Sequence, residues 1–253
     1  MKIYIAEIKH LSLVDIIGEP CAVVWLSFCN FNCPWCFDKP IIKGENAKEM
    51  NIKEVIDMLK PARMLVEYVH IVGGEPTVQS DALIELLKKC KKLGFKCSIA
   101  TNGSKPEVLR KLINQNLLDH VAFDFKAPFS KPKKYLHVIG LKNREIIDKI
   151  QESLEIIIKN VPFCEIRTTY IPDLTAEDIL EIAETLAKLK KDAKGRVVYV
   201  LQQFQPTETV LSKEYTKFKR TPLQELISTA KKVKELFNLE VYVRALEIGV
   251  QKI

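Results

Sequence analysis

Short apolar, β-branched runs recur along the chain at residues 22–28, 66–72, 96–101, 120–125, 165–170 and 197–202, and a helical period follows each one. Each run is short enough to be a strand buried on both faces. Residues 51–63 place Ile52, Val55, Ile56 and Leu59 on one helix face, and residues 81–93 do the same with Leu83, Ile84, Leu87 and Cys90. Further helices are predicted at 105–116, 144–159, 175–189 and 222–237, with Gly94, Gly103 and Gly195 as stop signals near helix ends. Strand–helix units joined by right-handed crossovers lie side by side as a parallel sheet with helices outside. Six such units predict an open parallel (β/α)6 partial TIM barrel rather than a closed ring of eight, and chemistry is expected in the loops that follow the strand C-termini.

A chain of 253 residues fits one such domain spanning 1–253, and 47% hydrophobic with 28% charged residues suits a globular core rather than a disordered chain. The first apolar run is broken by Glu7, Lys9 and His10, and no later run is long enough to span a bilayer. A cytoplasmic protein without membrane attachment is expected. The net charge of +7 comes from lysines scattered over helix faces, such as Lys88, Lys89, Lys91 and Lys92. Without an aromatic-interleaved basic stripe this charge reads as a solvated surface, favouring an acidic protein partner over nucleic acid. The polar connection 206–222 is expected to form a mobile flap.

Seven cysteines in such a chain argue for metal or redox use of some of them. Cys21, Cys90, Cys97 and Cys164 sit singly in apolar runs and are predicted to be core. Cys29, Cys33 and Cys36 form C-x3-C-x2-C directly after the first barrel strand. Three soft thiolates on a short loop suit one face of an iron–sulfur cubane and leave the fourth iron without a protein ligand, open to a cofactor or substrate. Two other readings fit the spacing. The three positions also make one helix face, against which Pro34, Asn30 and Asn32 weigh. A zinc site needs a fourth ligand, and His10, His70, His120 and His137 are all distant in sequence, although folding can bring one close.

The segment CNFNCPWC resembles the signature loop of the radical S-adenosylmethionine superfamily, with Trp35 as the aromatic before the third cysteine. The resemblance extends over the whole barrel. It implies a [4Fe-4S] cluster on Cys29, Cys33 and Cys36 whose open iron chelates S-adenosyl-L-methionine, with Trp35 beside the adenine and Phe37 also at the cofactor, although the typical Cys-His-Asn reads Cys36-Phe37-Asp38 here. After the second strand, Gly73, Gly74, Glu75, Pro76 and Thr77 match the element that receives the methionyl ammonium. Thr101 and Asn102 end the third strand, and Asp124 and Lys126, at alternate positions, end the fourth. In activating enzymes for glycyl radical proteins an Asp-x-Lys here contacts the cofactor carboxylate and a monovalent cation, although Ala100 stands where those enzymes often carry a second aspartate. Arg167 resembles the arginine near the ribose; a buried ion pair is its alternative reading.

Residues 11–18 and 199–204 resemble the activating proteins of anaerobic ribonucleotide reductases, with Gln202 and Gln203 at a strand exit. The implied function is reductive cleavage of S-adenosylmethionine to a 5′-deoxyadenosyl radical that abstracts hydrogen from a glycine of a partner glycyl radical enzyme. The electron would come from a reduced flavodoxin- or ferredoxin-type donor. A radical enzyme acting on a small molecule, similar to a deazapurine synthase, and a non-catalytic iron–sulfur electron-transfer protein are the alternatives.

Overall fold

The computed structural model describes residues 1–253, built around one ten-stranded sheet. β1 (Lys2–Ile16) and β2 (Glu19–Leu26) form an antiparallel hairpin, and β3 (Lys48–Asn51) pairs with the start of β1. From β2 the sheet runs parallel through β4 (Tyr68–Gly73), β5 (Lys96–Thr101), β6 (His120–Asp124), β7 (Phe163–Tyr170), β8 (Arg196–Gln203) and β9 (Glu240–Ala245). The antiparallel β10 (Gly249–Lys252) forms the far edge.

All six expected strands are present and mutually parallel, but the sheet is wider than the sequence rhythm predicts. β9 adds a parallel strand, while β1, β3 and β10 add antiparallel ones. Glu240, Tyr242 and Arg244 alternate with buried Val241, Val243 and Ala245, so β9 has no continuous apolar run to reveal it. β1 escapes notice similarly, because polar residues interrupt its run.

The sheet curls. The turn between β1 and β2 lies far from β7 in strand order, yet the Ile17 N–H donates to Glu165 at 2.6 Å, and Ile17 packs on Val198 and Val200 of β8. Ends of the sheet therefore approach across its concave side.

The convex face carries the helices: α1 (Lys39–Lys43), α2 (Ile52–Leu59), α3 (Ser80–Lys92), α4 (Pro106–Asn114), α5 (Pro132–Ile139), α6 (Glu145–Asn160), α7 (Ala176–Leu189) and α8 (Leu223–Phe237). Of the longer helices α5 alone lies outside the predicted set; Pro132 opens it, and Tyr135, Val138 and Ile139 are its buried face. The predicted apolar face of α2 is buried, as are Leu83, Leu87 and Cys90 on α3. These helices cover outward-pointing Val69, Ile71, Ile99, Val121, Phe123 and Ile166. Cys21, Cys90, Cys97 and Cys164 are fully buried, as predicted.

The concave face carries several buried polar groups. His70, Ser98 and His120 are register neighbours on β4, β5 and β6, and the Ser98 hydroxyl bridges the two imidazole Nδ1 atoms at 2.6 and 2.7 Å. No helix is long and apolar enough to cross a membrane.

Candidate active site

Strand register brings the predicted loops to one end of the sheet: Leu26 of β2 is level with Gly73 of β4, and Asp124 of β6 is level with Arg167 of β7. Beyond β2, residues 27–38 contain no helix, which removes the helix-face reading of the three cysteines.

Four segments fix this loop. The Gly74 and Glu75 N–H groups donate to the Leu26 and Phe28 carbonyls at 2.9 Å, carrying the β2–β4 pairing into the cysteine loop. A Cβ on Gly74 would stand 2.0 Å from the Phe28 carbonyl oxygen, so the close approach requires glycine. From the loop after β5, Asn102 donates to Asn30 at 3.0 Å, and Asn30 donates to Ser104 at 2.8 Å. From the end of α5, Val138 accepts the Trp35 indole N–H at 2.8 Å, and Ile139 accepts the Asn32 N–H at 3.1 Å.

The fourth segment is the connection between β8 and α8. The N–H groups of Leu211 and Ser212 donate to the carbonyls of Cys36 and Pro34 at 2.9 Å, and Thr209 Oγ1 donates to Phe37 at 2.7 Å. Val210 and Tyr215 are buried, and the Tyr215 hydroxyl donates to Asp173 at 2.6 Å. The predicted flap is thus a strap bound to the cysteine loop; its apolar anchors lie inside a polar stretch.

Cys29, Cys33 and Cys36 line one cavity of about 280 Å³. So do Trp35, Phe37, Gly73, Gly74, Thr101, Asn102, Asp124, Lys126 and Arg167, every predicted site residue except Glu75. Glu75 is fully buried behind the wall. Its Oε1 accepts from Thr77 N–H, Thr77 Oγ1 and Thr101 Oγ1 at 2.6–3.0 Å, and its Oε2 from the Asn102 N–H at 2.6 Å. In this geometry it clamps two loops together, and burial raises its pKa despite those bonds.

Asp124 and Lys126 point to the same side, as strand alternation predicts, and form an ion pair at 2.9 Å. Burial works against the Lys126 charge, but Asp124 and then Cys33 raise its pKa overall. The ammonium lies 4.9 Å from the Trp35 ring centroid, in cation–π range. Ala100 also lines the cavity, so the cationic neighbour Asp124 has in place is Lys126. Arg167 lines the cavity and pairs with buried Glu165 at 2.6 Å, so the ion pair is the contact it makes here.

The chemistry of the donor set fits an iron–sulfur cubane. As free thiols Cys29 and Cys33 are pushed up to about 12 by burial, and Cys36 is raised for the same reason. The Lys126 charge opposes that shift at all three, so the cavity holds one cation suited to neighbouring thiolates. None of the four histidines lines this cavity, and no three His, Cys, Asp or Glu side chains converge on a point suited to one ion. This disfavours zinc. A cubane binds each thiolate through a different iron and so needs its ligands farther apart than a single ion does.

A second cavity of about 540 Å³ adjoins the first, sharing Trp35, Phe37, Thr169, Gln202 and Arg244 with it. Gln202 was anticipated at this end of its strand; Asp15, within the 11–18 motif, and Asp38, just after the third cysteine, also line the wall, whereas Arg244 belongs to no recognisable motif. Gln203 lines the larger cavity as well, its amide held by Thr221 and Leu246 backbone atoms.

Residues 23–186 match the family described as the radical SAM superfamily, where SAM is S-adenosylmethionine. The chain belongs to the radical SAM superfamily. A Methanocaldococcus jannaschii protein, provisionally named a glycyl-radical enzyme activating enzyme, is 35% identical over 92% of this chain and 93% of its own length. A 7-carboxy-7-deazaguanine synthase of Methanospirillum hungatei is 28% identical over 74% of this chain and 77% of its own. Among solved structures, QueE from Escherichia coli shares the fold at TM-score 0.58 and 17% identity, covering 97% of this chain and 95% of that one. This radical SAM protein is an enzyme of a family that implies a [4Fe-4S] cluster and S-adenosylmethionine.

Proposed function

We propose that this radical SAM enzyme holds its cluster on Cys29, Cys33 and Cys36 and generates a radical on a glycine of a partner glycyl radical enzyme, an anaerobic ribonucleotide reductase or similar. When bound on these three thiolates, the cluster would supply the one electron needed to cleave a carbon–sulfur bond of S-adenosylmethionine to methionine and a 5′-deoxyadenosyl radical, which would take a hydrogen atom from the glycine Cα. In this reading Trp35 and the backbone of Gly73 and Gly74 seat the cofactor, and the Lys126 and Arg167 cations face its carboxylate and ribose. The strap over the cysteine loop and the closely packed loops after β4 and β5 hold the cavity in shape and limit access of water. Asp124 orients Lys126 through the 2.9 Å ion pair. A monovalent cation at Asp124 and a flavodoxin- or ferredoxin-type donor complete the proposal.

The observation that carries the partner assignment is the 35% identity to the Methanocaldococcus protein over nearly its full length. The rim of the larger cavity supports it: Val14, Phe37 and Leu246 are large apolar residues exposed at its mouth, which suits contact with a polypeptide. The experiment is anaerobic reconstitution with iron and sulfide, reduction, and incubation with S-adenosylmethionine and the glycyl radical enzymes of the same organism. A glycyl radical signal in electron paramagnetic resonance is expected, with 5′-deoxyadenosine formed. Absence of 5′-deoxyadenosine would remove the catalytic reading. Its formation without a radical on any partner would favour a small-molecule substrate, a second reading supported by the deazaguanine synthase relative and the 540 Å³ cavity.

A further inference from the structure

The two cavities meet beside an arginine to which neither the family motifs nor the proposed chemistry assigns a role. Arg244, on β9, lines both. Its Nε and Nη2 are buried and have no hydrogen-bond acceptor, which is unusual for a guanidinium with five donors to satisfy.

The surrounding groups explain why it lacks one. Glu165 is the fully buried carboxylate of this region, and its bonds go elsewhere. Its Oε1 accepts from the Ile17 N–H at 2.6 Å, and its Oε2 accepts from Arg167 Nε at 2.9 Å and Nη2 at 2.6 Å. Arg244 Nη2 lies 3.7 Å from the same Oε2, close enough for attraction and too far for a hydrogen bond. His120 Nε2 stands 3.4 Å from Oε1, and burial lowers the pKa of His120 and His70, favouring their neutral forms. Asp15 accepts the Ser12 hydroxyl, and Asp124 takes Lys126. Burial first, and the Arg167 charge second, push Arg244 down to about 10. It remains a cation at neutral pH, held near Glu165 but not saturated by it.

We propose that Arg244 is a specificity-determining residue that binds a carboxylate group of the substrate where the two cavities join. With Nε and Nη2 enclosed, Nη1 is the guanidinium nitrogen left open to the cavities, and it offers a carboxylate a charge-assisted N–H···O bond. The neighbouring Gln202 amide and the Trp35 and Phe37 rings give the rest of such a ligand polar and flat apolar surfaces. The carboxylate belongs to a small molecule or to an acidic side chain next to the target residue of a polypeptide; the chemistry at Arg244 is the same. The inference rests on the reading that the larger cavity receives the substrate, and not on which substrate it is.

The test uses the full chain without cluster or cofactor, so its outcome is independent of the radical reaction. Ligand-observed nuclear magnetic resonance would compare benzoate with the neutral benzamide. Wild type is expected to prefer benzoate, Arg244→Gln to bind it at least tenfold more weakly, and benzamide binding to be unchanged. If the glutamine variant does not fold, Arg244→Lys carries the test: it keeps the charge, moves it off the guanidinium position, and is expected to weaken benzoate several-fold. Equal benzoate binding by wild type and variant, or no preference over benzamide, would overturn the proposal. So would a tenfold loss of S-adenosylmethionine affinity in reconstituted Arg244→Gln, because it would assign the arginine to the cofactor. Displacement of benzoate by an N-acetylated, C-amidated Asp-Gly peptide but not by its Asn-Gly counterpart identifies a polypeptide source; displacement by neither favours a small-molecule source.

Discussion

Burial alone would keep Cys29, Cys33 and Cys36 as thiols, whereas a metal ligand must be a thiolate. Lys126 is the one cation that favours the charged form at all three, so its contribution reaches beyond the pairing with Asp124. Replacing any of the three cysteines by alanine is expected to abolish the iron–sulfur absorption of the reconstituted protein. Cys164→Ala should retain that absorption and lose only about 1 kcal/mol of stability, measured by denaturant unfolding, as for a small side chain removed from the core. Glu75 has a different task. Its two oxygens take four bonds from Thr77, Thr101 and Asn102, so Glu75→Gln presents an amide N–H₂ to at least one donor. A loss of about 1–3 kcal/mol in unfolding free energy is expected from the group left unpaired.

Loops at this end of the sheet hold one another, which makes some distant-looking positions sensitive. Gly74→Ala drives a Cβ against the Phe28 carbonyl, and neither backbone can retreat without breaking the pairing that extends β2 and β4. Overpacking of this kind costs about 1–3 kcal/mol and should also lower iron retention, measured by chelator competition, because Phe28 leads directly into Cys29. Helix α7 shows the same logic away from the site. Asp178 closes a capping box with Thr175 and pairs with Lys131 and Lys134. Burial opposes its charge, but these partners outweigh burial and bring its pKa from 3.8 down to about 2. A carboxyl depressed on folding contributes stability above its unfolded value and loses it as pH falls towards the folded one. Unfolding titrations should therefore show a decline between pH 3.8 and about 2 that Asp178→Asn lacks.

At the scale of the whole molecule, legibility in the sequence followed what each surface touches. Strands with apolar residues against the helices and a compact motif at their exits were readable, because C-x3-C-x2-C, Gly-Gly-Glu and Asp-x-Lys each bring several functional atoms within one short segment. β9, the strap anchors and Arg244 were not. Their roles arise only when the sheet curls and distant segments meet: Val210 and Tyr215 are isolated apolar residues in a polar stretch, and Arg244 alternates with buried Val243 and Ala245 like a surface position until Glu165 of β7 comes within 3.7 Å and the cavity walls form around it. The same curling collects Val14, Phe37 and Leu246, from three widely separated segments, around one opening. If this rim docks a polypeptide, an aspartate at Phe37 or Leu246 introduces a charge that must be desolvated in the complex but stays hydrated in the free enzyme. Glycyl radical formation should then fall at least tenfold in kcat/KM, about 1.4 kcal/mol, the scale of a docking hot spot. Leu246→Asp lies outside the cysteine cavity, so its reductive cleavage of S-adenosylmethionine without partner should stay within twofold of wild type. Parallel loss of both activities would place the defect in cofactor binding and count against polypeptide docking at this rim.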